Sequence, residues 1–181
     1  MASPNAGGRS VRPLRPLLFL DVDGPLIPFG GPTPSYSVGP EGPPVEANPL
    51  LARIDPAMGR RLAALGYELV WATTWGEEAN ECIAPRIGLP PLRMILWPEP
   101  SEAEERDVRA GRHWKTRPIV AWAAGRAFAW VDDEITRADH AWVAAHHDGP
   151  ALLQYVNPRV GLTADDLDVL KSWAEALGDT A

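Results

Sequence analysis

The 181-residue sequence has little of three features that would point to particular classes of protein: cysteine, long apolar runs and positive charge. Cys82 is the single cysteine, which excludes an internal disulfide and a cysteine-based zinc cluster and agrees with a reducing compartment. The apolar run Leu17–Leu20 is too short for a signal-peptide core or a membrane span, and no later run approaches about 20 apolar residues. We therefore expect a cytoplasmic protein that has no membrane partner.

The charge balance is negative. The sequence has 24 acidic and 17 basic residues and a formal net charge of −7, which disfavours general binding to DNA but leaves room for a local basic site. Hydrophobic residues make up 45% and charged residues 23% of the chain, and these proportions are typical of folded soluble domains. We expect a single domain over residues 16–178, preceded by a flexible tail at residues 1–15.

Proline and glycine are concentrated in one segment, residues 25–49. Proline lacks a backbone N–H and glycine weakens regular structure, so no helical or strand period survives there. We expect this segment to be an irregular loop or flap.

Five short segments have the composition of β-strands. The first and the fourth are continuous apolar runs that lead directly into carboxylates, the pattern of strands buried on both faces of a sheet. The predicted strands lie at residues 16–21, 67–73, 94–97, 127–131 and 151–155. Helical spacing predicts helices at residues 56–65, 77–84, 118–124 and 135–145, and a last helix that opens at residue 163.

Three details of this assignment depend on single residues or runs. We expect Pro85 to end the second helix, because proline disrupts a helix interior, and Thr116 to cap the third helix. The acidic run at residues 101–107 is polar on all sides, which indicates a solvated helix or loop without a function.

Strands that alternate with helices imply βαβ crossovers and parallel pairing. The predicted fold is therefore a doubly wound α/β domain, in which a mostly parallel five-stranded sheet lies between two layers of helices. Ligands bind such folds beyond the carboxyl ends of the strands.

Polar side chains follow three of the predicted strands at those ends, and a lysine precedes the helix before the fourth strand. These residues are Asp21, Asp23, Thr73, Thr74, Lys115, Asp132 and Asp133. Each of them alone has an ordinary structural explanation in a turn, a cap or a solvated position. Their convergence on one crevice, however, supplies the residue types that a phosphoryl-transfer site requires.

Such a group of carboxylates needs compensating charge. Two unit charges 4 Å apart repel by about 4 kcal/mol at an effective dielectric constant of 20. Mg²⁺ suits the site because it prefers oxygen ligands and keeps open positions for water and phosphate, while Lys115 can neutralise the remaining charge. One aspartate can then attack phosphorus and form an aspartyl phosphate. The Thr73 hydroxyl, Lys115 and backbone N–H groups after Gly24 and near Gly76 can hold the phosphoryl oxygens.

The sequence resembles the phosphohydrolases of the haloacid dehalogenase (HAD) superfamily in four motifs. An apolar strand followed by Asp-x-Asp-Gly is present as LLFLDVDGPL, and a strand that ends in threonine is present as ELVWATTW. The motif lysine lies in HWKTRP, and an apolar strand that ends in acidic residues is FAWVDDE. The order and spacing of the four motifs match those of the superfamily.

The resemblance implies a role for each matching residue. Asp21 would be the nucleophile and Asp23 the general acid and base. Thr73, or Thr74 if the strand ends one residue later, would bind phosphate together with Lys115 and Gly24. Either Asp132 or Asp133 would bind Mg²⁺ beside Asp21 and the backbone carbonyl of Asp23. Pro25 departs from the family pattern, which has Thr or Val at this position, and proline offers no N–H to a phosphate.

The segments between the motifs are too short for a separate cap domain, so the resemblance implies an open site. Open sites of this kind resemble those of members that act on large phosphorylated substrates, such as proteins or nucleic-acid ends. The segments WATTW, HWKT and GLTADDL are similar to the HAD domains associated with RNA-repair (Swiss-army-knife) proteins. Trp75 and Trp114 lie near the predicted opening and can stack on a base, although tryptophans are more commonly part of a core.

Two other functions remain open at this point. A receiver-like domain would accept a phosphoryl group with a similar set of residues, but in a different order along the chain. A catalytically silent module would hold a phosphorylated partner in the same crevice without turnover.

Overall fold

The computed structural model describes residues 14–32 and 49–178. Most of the predicted tail, and residues 33–48 of the predicted flap, lie outside the described residues. Five strands form one sheet in the order β3-β2-β1-β4-β5, and every neighbouring pair is parallel. The strands are β1 (Leu17–Leu20), β2 (Glu68–Trp71), β3 (Arg93–Met94), β4 (Phe128–Asp132) and β5 (Ala151–Tyr155).

The described ranges contain six α-helices, of which the last follows β5. They are α1 (Met58–Ala63), α2 (Ala84–Ile87), α3 (Glu102–Arg109), α4 (Thr116–Ala123), α5 (Arg137–His146) and α6 (Ala164–Gly178). A 3₁₀ turn at Pro49–Arg53 precedes α1, and a π-helical turn at Ala79–Ile83 leads into α2. None of the helices in the described part of the chain is long and apolar enough to cross a bilayer.

The sheet has a hydrophobic core on each face, because successive residues of a strand point to opposite sides. Leu18 and Leu20 of β1 pack with residues of α1, α2 and α6. Leu17 and Phe19 pack on the other face with residues of α4 and α5. This arrangement confirms the doubly wound, three-layer α/β fold.

The register of the central strands brings three chain segments to one edge. Leu20 at the end of β1 pairs with Trp71 of β2 on one side and with Val131 of β4 on the other. The backbone ladder continues past β1, since the N–H of Asp21 donates to the carbonyl of Val131 at 3.1 Å. The residues that follow β1, β2 and β4 therefore leave the sheet side by side.

Three local predictions were wrong. Pro85 does not end the second helix: it lies in the first turn of α2, where no backbone N–H is needed. In the π-helical turn before it, the N–H of Ala84 donates a hydrogen bond to the carbonyl of Ala79. Strand β3 was predicted at residues 94–97, but it ends at Met94. Thr116 does not cap α4, because its hydroxyl donates to Asp139 at 2.5 Å.

The prediction that the acidic run at residues 101–107 is fully solvated was also wrong. It forms α3, which Ser101 caps, but Asp107 is only 2% exposed. The carboxylate of Asp107 accepts hydrogen bonds from the guanidinium groups of Arg112 and Arg117. A charged side chain is buried in this way only when partners compensate its charge.

Candidate active site

The first candidate residue, Asp21, follows the buried strand β1 directly and is 7% exposed. Its Oδ1 accepts a hydrogen bond from the backbone N–H of Val22 at 2.8 Å. Its Oδ2 accepts one from Lys115 Nζ, also at 2.8 Å. Both oxygens are therefore held in fixed positions at the edge of the sheet.

Lys115 joins the first motif to the fourth. It is 3% exposed and lies just before α4, and its Nζ also donates to Asp132 Oδ2 at 2.9 Å. Asp132 is fully buried at the end of β4 and accepts further hydrogen bonds from Trp130 Nε1 at 3.3 Å and from the N–H of Glu134 at 2.9 Å. The ammonium group is thus clamped between two carboxylates from neighbouring strands.

Asp133 completes a candidate metal site. One carboxylate oxygen from each of Asp21, Asp132 and Asp133 lies within 4.8 Å of the others. The donors are all carboxylate oxygens, which is the ligand chemistry that Mg²⁺ prefers. Three carboxylates and the Lys115 ammonium leave two negative charges, and one divalent cation would balance them. The residues present therefore fit the ion that the sequence predicted.

The pKa values of the clustered carboxyl groups and of Lys115 also indicate that the site needs positive charge. Burial, with a further contribution from Asp132, raises the pKa of Asp21 to about 7, although Lys115 opposes the change. Burial and the neighbouring Asp132 raise the pKa of Asp133 to about 6. Burial alone would lower the pKa of Lys115, but Asp21 and Asp132 outweigh it and raise the pKa. A cation among these groups would favour the ionised carboxylates.

A second group of side chains, His113, Asp132 and Glu134, has ligand atoms equally close together. His113 Nδ1 accepts the backbone N–H of Lys115 at 3.0 Å. A neutral imidazole then carries its proton on Nε2, which lies 2.9 Å from Glu134 Oε2. His113 acts here as a hydrogen-bond donor, so the three aspartates are the better candidate for the metal.

Asp23 is not one of the three clustered carboxylates. Its Oδ2 accepts a hydrogen bond from Trp75 Nε1 at 3.0 Å, and its backbone forms a short bridge with Ile27. Trp75 is partly buried, and its indole N–H orients a carboxylate at the site. The sequence placed Trp75 near the opening but did not indicate this contact.

Gly24 makes room for Asp133. Its φ angle is +82°, and a Cβ atom added there would lie 2.5 Å from the Cγ atom of Asp133. The N–H of Gly24 donates to the carbonyl of Ile27 at 3.1 Å. Pro25 has no N–H, but its carbonyl accepts the N–H of Leu162 at 2.9 Å, which ties the turn to the segment before α6.

The two threonines of the second motif differ in their surroundings. Thr73 is 3% exposed, and its Oγ1 accepts the N–H of Trp75 at 3.4 Å. Its carbonyl accepts the indole N–H of Trp97 at 2.9 Å. Thr74, in contrast, is exposed.

A buried residue that the sequence analysis did not identify holds the Lys115 loop. Asp139 is fully buried, and its Oδ1 accepts hydrogen bonds from the N–H of His113 at 2.8 Å and from the Thr116 hydroxyl at 2.5 Å. Its Oδ2 accepts the N–H of Thr136 at 2.8 Å as part of the capping box of α5. The Thr-x-x-Asp spacing of that capping box is visible in the sequence, but its contacts with the Lys115 loop are not.

Trp114 lies beside Lys115 and is partly buried. The edge-to-face contact between Trp97 and Trp114 has a centroid separation of 4.7 Å. Lys115 Nζ lies 5.8 Å from the centroid of the Trp114 ring. An aromatic surface therefore adjoins the buried charges.

Comparison with known proteins gave one result. The family model described as the HAD domain in Swiss Army Knife RNA repair proteins matches residues 17–167. That range runs from the first residue of β1 into α6 and includes every residue of the candidate active site. No curated protein and no solved structure matched.

Proposed function

Since the chain belongs to the family of HAD domains in Swiss Army Knife RNA repair proteins, we propose that it is a Mg²⁺-dependent phosphatase that hydrolyses phosphomonoesters through an aspartyl phosphate. The observation that carries the proposal is the contact of Lys115 with Asp21 and Asp132 at the ends of β1 and β4. A nucleophile, a fixed cation and a carboxylate group suited to Mg²⁺ thus meet at one edge of the sheet.

The reaction has two displacements. In the first, an Asp21 carboxylate oxygen bonds to phosphorus while the bond from phosphorus to the ester oxygen breaks, and Asp23 gives that leaving oxygen a proton. In the second, Asp23 takes a proton from a water molecule whose oxygen bonds to phosphorus. The bond between Asp21 and phosphorus then breaks, which releases inorganic phosphate and restores both carboxyl groups.

The surrounding residues have separate tasks in this scheme. Lys115 binds phosphoryl oxygens and offsets their charge, and the Thr73 hydroxyl donates to them; its burial beside the site favours it over Thr74. Bound Mg²⁺, held by Asp21, Asp132, Asp133 and the Asp23 carbonyl, would neutralise charge on the carboxylates and the phosphoryl group. Gly24 keeps the space that Asp133 occupies. In this scheme Gly24 also borders the phosphate.

The substrate that we propose is the phosphorylated end of an RNA strand. The described residues between β2 and β4 contain only short connecting elements, so no separate cap domain lies there to restrict the site. The family model names RNA repair proteins. In this proposal, Trp75 and Trp114 face the part of the substrate next to the phosphate.

The test is release of inorganic phosphate from 3′- and 5′-phosphorylated oligoribonucleotides in the presence of Mg²⁺. Asp21→Asn should lower kcat by at least about a thousandfold, because it removes the nucleophile and keeps a side chain of the same size. Asp168→Asn, a change of the same kind at an exposed position of α6, is the control and should retain activity. EDTA should abolish the activity of the unmodified protein.

Activity that survives Asp21→Asn would refute the mechanism. Binding of phosphate analogues without turnover under any metal condition would instead identify a silent phosphate-binding module.

A further inference from the structure

A cavity of about 250 Å³ lies between the segment before α3 and the first turns of α4. Its apolar lining consists of Trp114, Pro98, Pro118 and Ala121, and its charged lining residues are Glu104, Arg117 and the buried Asp107. The lining therefore has an indole ring and two proline rings, which offer flat apolar faces, and an alanine, which takes little space. Such a lining suits a planar ligand better than a branched aliphatic one.

The cavity adjoins the candidate phosphate site through one side chain. Trp114 lines the cavity, and Lys115 Nζ lies 5.8 Å from the centroid of its ring. Trp97 packs edge-to-face against Trp114 at 4.7 Å and donates its indole N–H to the Thr73 carbonyl at 2.9 Å. The position of the Trp114 ring is therefore tied both to the lysine and to the end of β2.

One charged group of the cavity, the Arg117 guanidinium, is fixed as well. Arg117 Nη2 donates to Asp107 Oδ1 at 3.0 Å, and 44% of the Arg117 side chain remains exposed. Arg112 also pairs with Asp107, so that buried carboxylate is compensated twice. Arg117 is thus a donor held in place before any ligand binds, and Glu104 is an acceptor on the same cavity.

We propose that this cavity is a nucleobase subsite and that the substrate's phosphate and its adjacent base bind on the two sides of the Trp114–Lys115 pair. The base stacks on Trp114, and Arg117 and Glu104 offer a donor and an acceptor to its edge. A single sugar joins the base and the phosphate of a nucleotide. Trp114 and Lys115, which are consecutive in the sequence, can therefore contact the base and the phosphate of the same nucleotide. This inference rests on the proposed function and assigns a binding site to the base next to the phosphate.

The test fills the cavity without changing the phosphate site. Ala121→Phe places a ring in the cavity from the exposed surface of α4, and Ala145→Phe adds the same ring at an exposed position of α5 as the control. The measured quantity is kcat/KM for adenosine 3′- and 5′-monophosphate divided by kcat/KM for β-glycerophosphate. We expect this ratio to fall roughly 5- to 100-fold in Ala121→Phe and to stay the same in Ala145→Phe.

A ratio unchanged by Ala121→Phe would overturn the subsite. An equal loss for phosphotyrosine would also overturn it, because the cavity would then be a general aromatic pocket. A second test uses the Asp21→Asn variant, which should not turn over the ester. Calorimetry gives its dissociation constants for adenosine monophosphate and for inorganic phosphate. Tighter binding of the nucleotide would support the subsite even if the phosphatase proposal failed, and equal affinities would overturn it.

Discussion

Substitution of Gly24 by alanine should weaken metal binding without removing any charge from the site. A Cβ atom at this position would lie 2.5 Å from Cγ and 2.6 Å from Oδ1 of Asp133, and these distances are far inside van der Waals contact. The Asp133 carboxylate must therefore move in Gly24→Ala. Because Asp133 is one of the three clustered carboxylates, its displacement should change the geometry of the ion's ligands.

The effect on stability has two parts, and a second glycine separates them. Gly24 and Gly66 have the same φ angle of +82°, but a Cβ at Gly66 would meet nothing within 4 Å. Gly66→Ala should lose about 1–2 kcal/mol of unfolding free energy, the cost of a left-handed conformation in alanine. Gly24→Ala should lose that amount and about 1–3 kcal/mol more, because it also overpacks the site.

Two measurements on these variants test the reasoning. Urea denaturation without metal gives the difference in unfolding free energy, and calorimetry gives the dissociation constant for Mg²⁺. We expect Gly24→Ala to bind Mg²⁺ roughly 10- to 100-fold more weakly than Gly66→Ala, in line with the effect of disturbing groups around a metal site. Equal affinities in the two variants would show that Asp133 does not help to bind the ion.

Two further predictions concern the carboxylates. Trp75→Phe removes the indole donor from Asp23 and keeps an aromatic ring, so kcat should fall roughly tenfold with little change in KM, as measured by steady-state kinetics. The pKa values of Asp21 and Asp133 are raised from 3.8 to about 7 and about 6, so the folded metal-free protein binds these protons more tightly than the unfolded chain. Its stability should therefore fall as the pH rises from about 4 to 7, and thermal unfolding should show a larger stabilisation by Mg²⁺ at pH 8 than at pH 5.

The fold and the meeting of Asp21 with Asp132 at one edge of the sheet could be predicted from the sequence, because both depend on short-range patterns. Continuous apolar runs such as Leu17–Leu20 are typical of strands buried on both faces, and their alternation with helices leaves few topologies. Once β1 and β4 are parallel neighbours, Asp21 and Asp132 must leave the sheet at the same edge. The family match over residues 17–167 agrees with this prediction.

The errors arise where neighbouring segments decide the structure of a short run of residues. The polar run at residues 101–107 has no buried pattern of its own, and Asp107 is buried only because Arg112 and Arg117 reach it from the following loop and helix. Pro85 is tolerated because a π-helical turn precedes it. Neither feature follows from the composition of a short segment.

The position of Lys115 is the clearest case of a functional geometry that comes from the packing of the whole domain. Its loop has no strand to hold it, and its side chain must stay buried between two carboxylates. Asp139 supplies the support, since one carboxylate caps α5 and also binds the loop at His113 and Thr116. That double use is possible only because α4 and α5 pack on the same face of the sheet. A change in the packing of those helices would therefore act on the site through the lysine, even if it touched none of the motif residues.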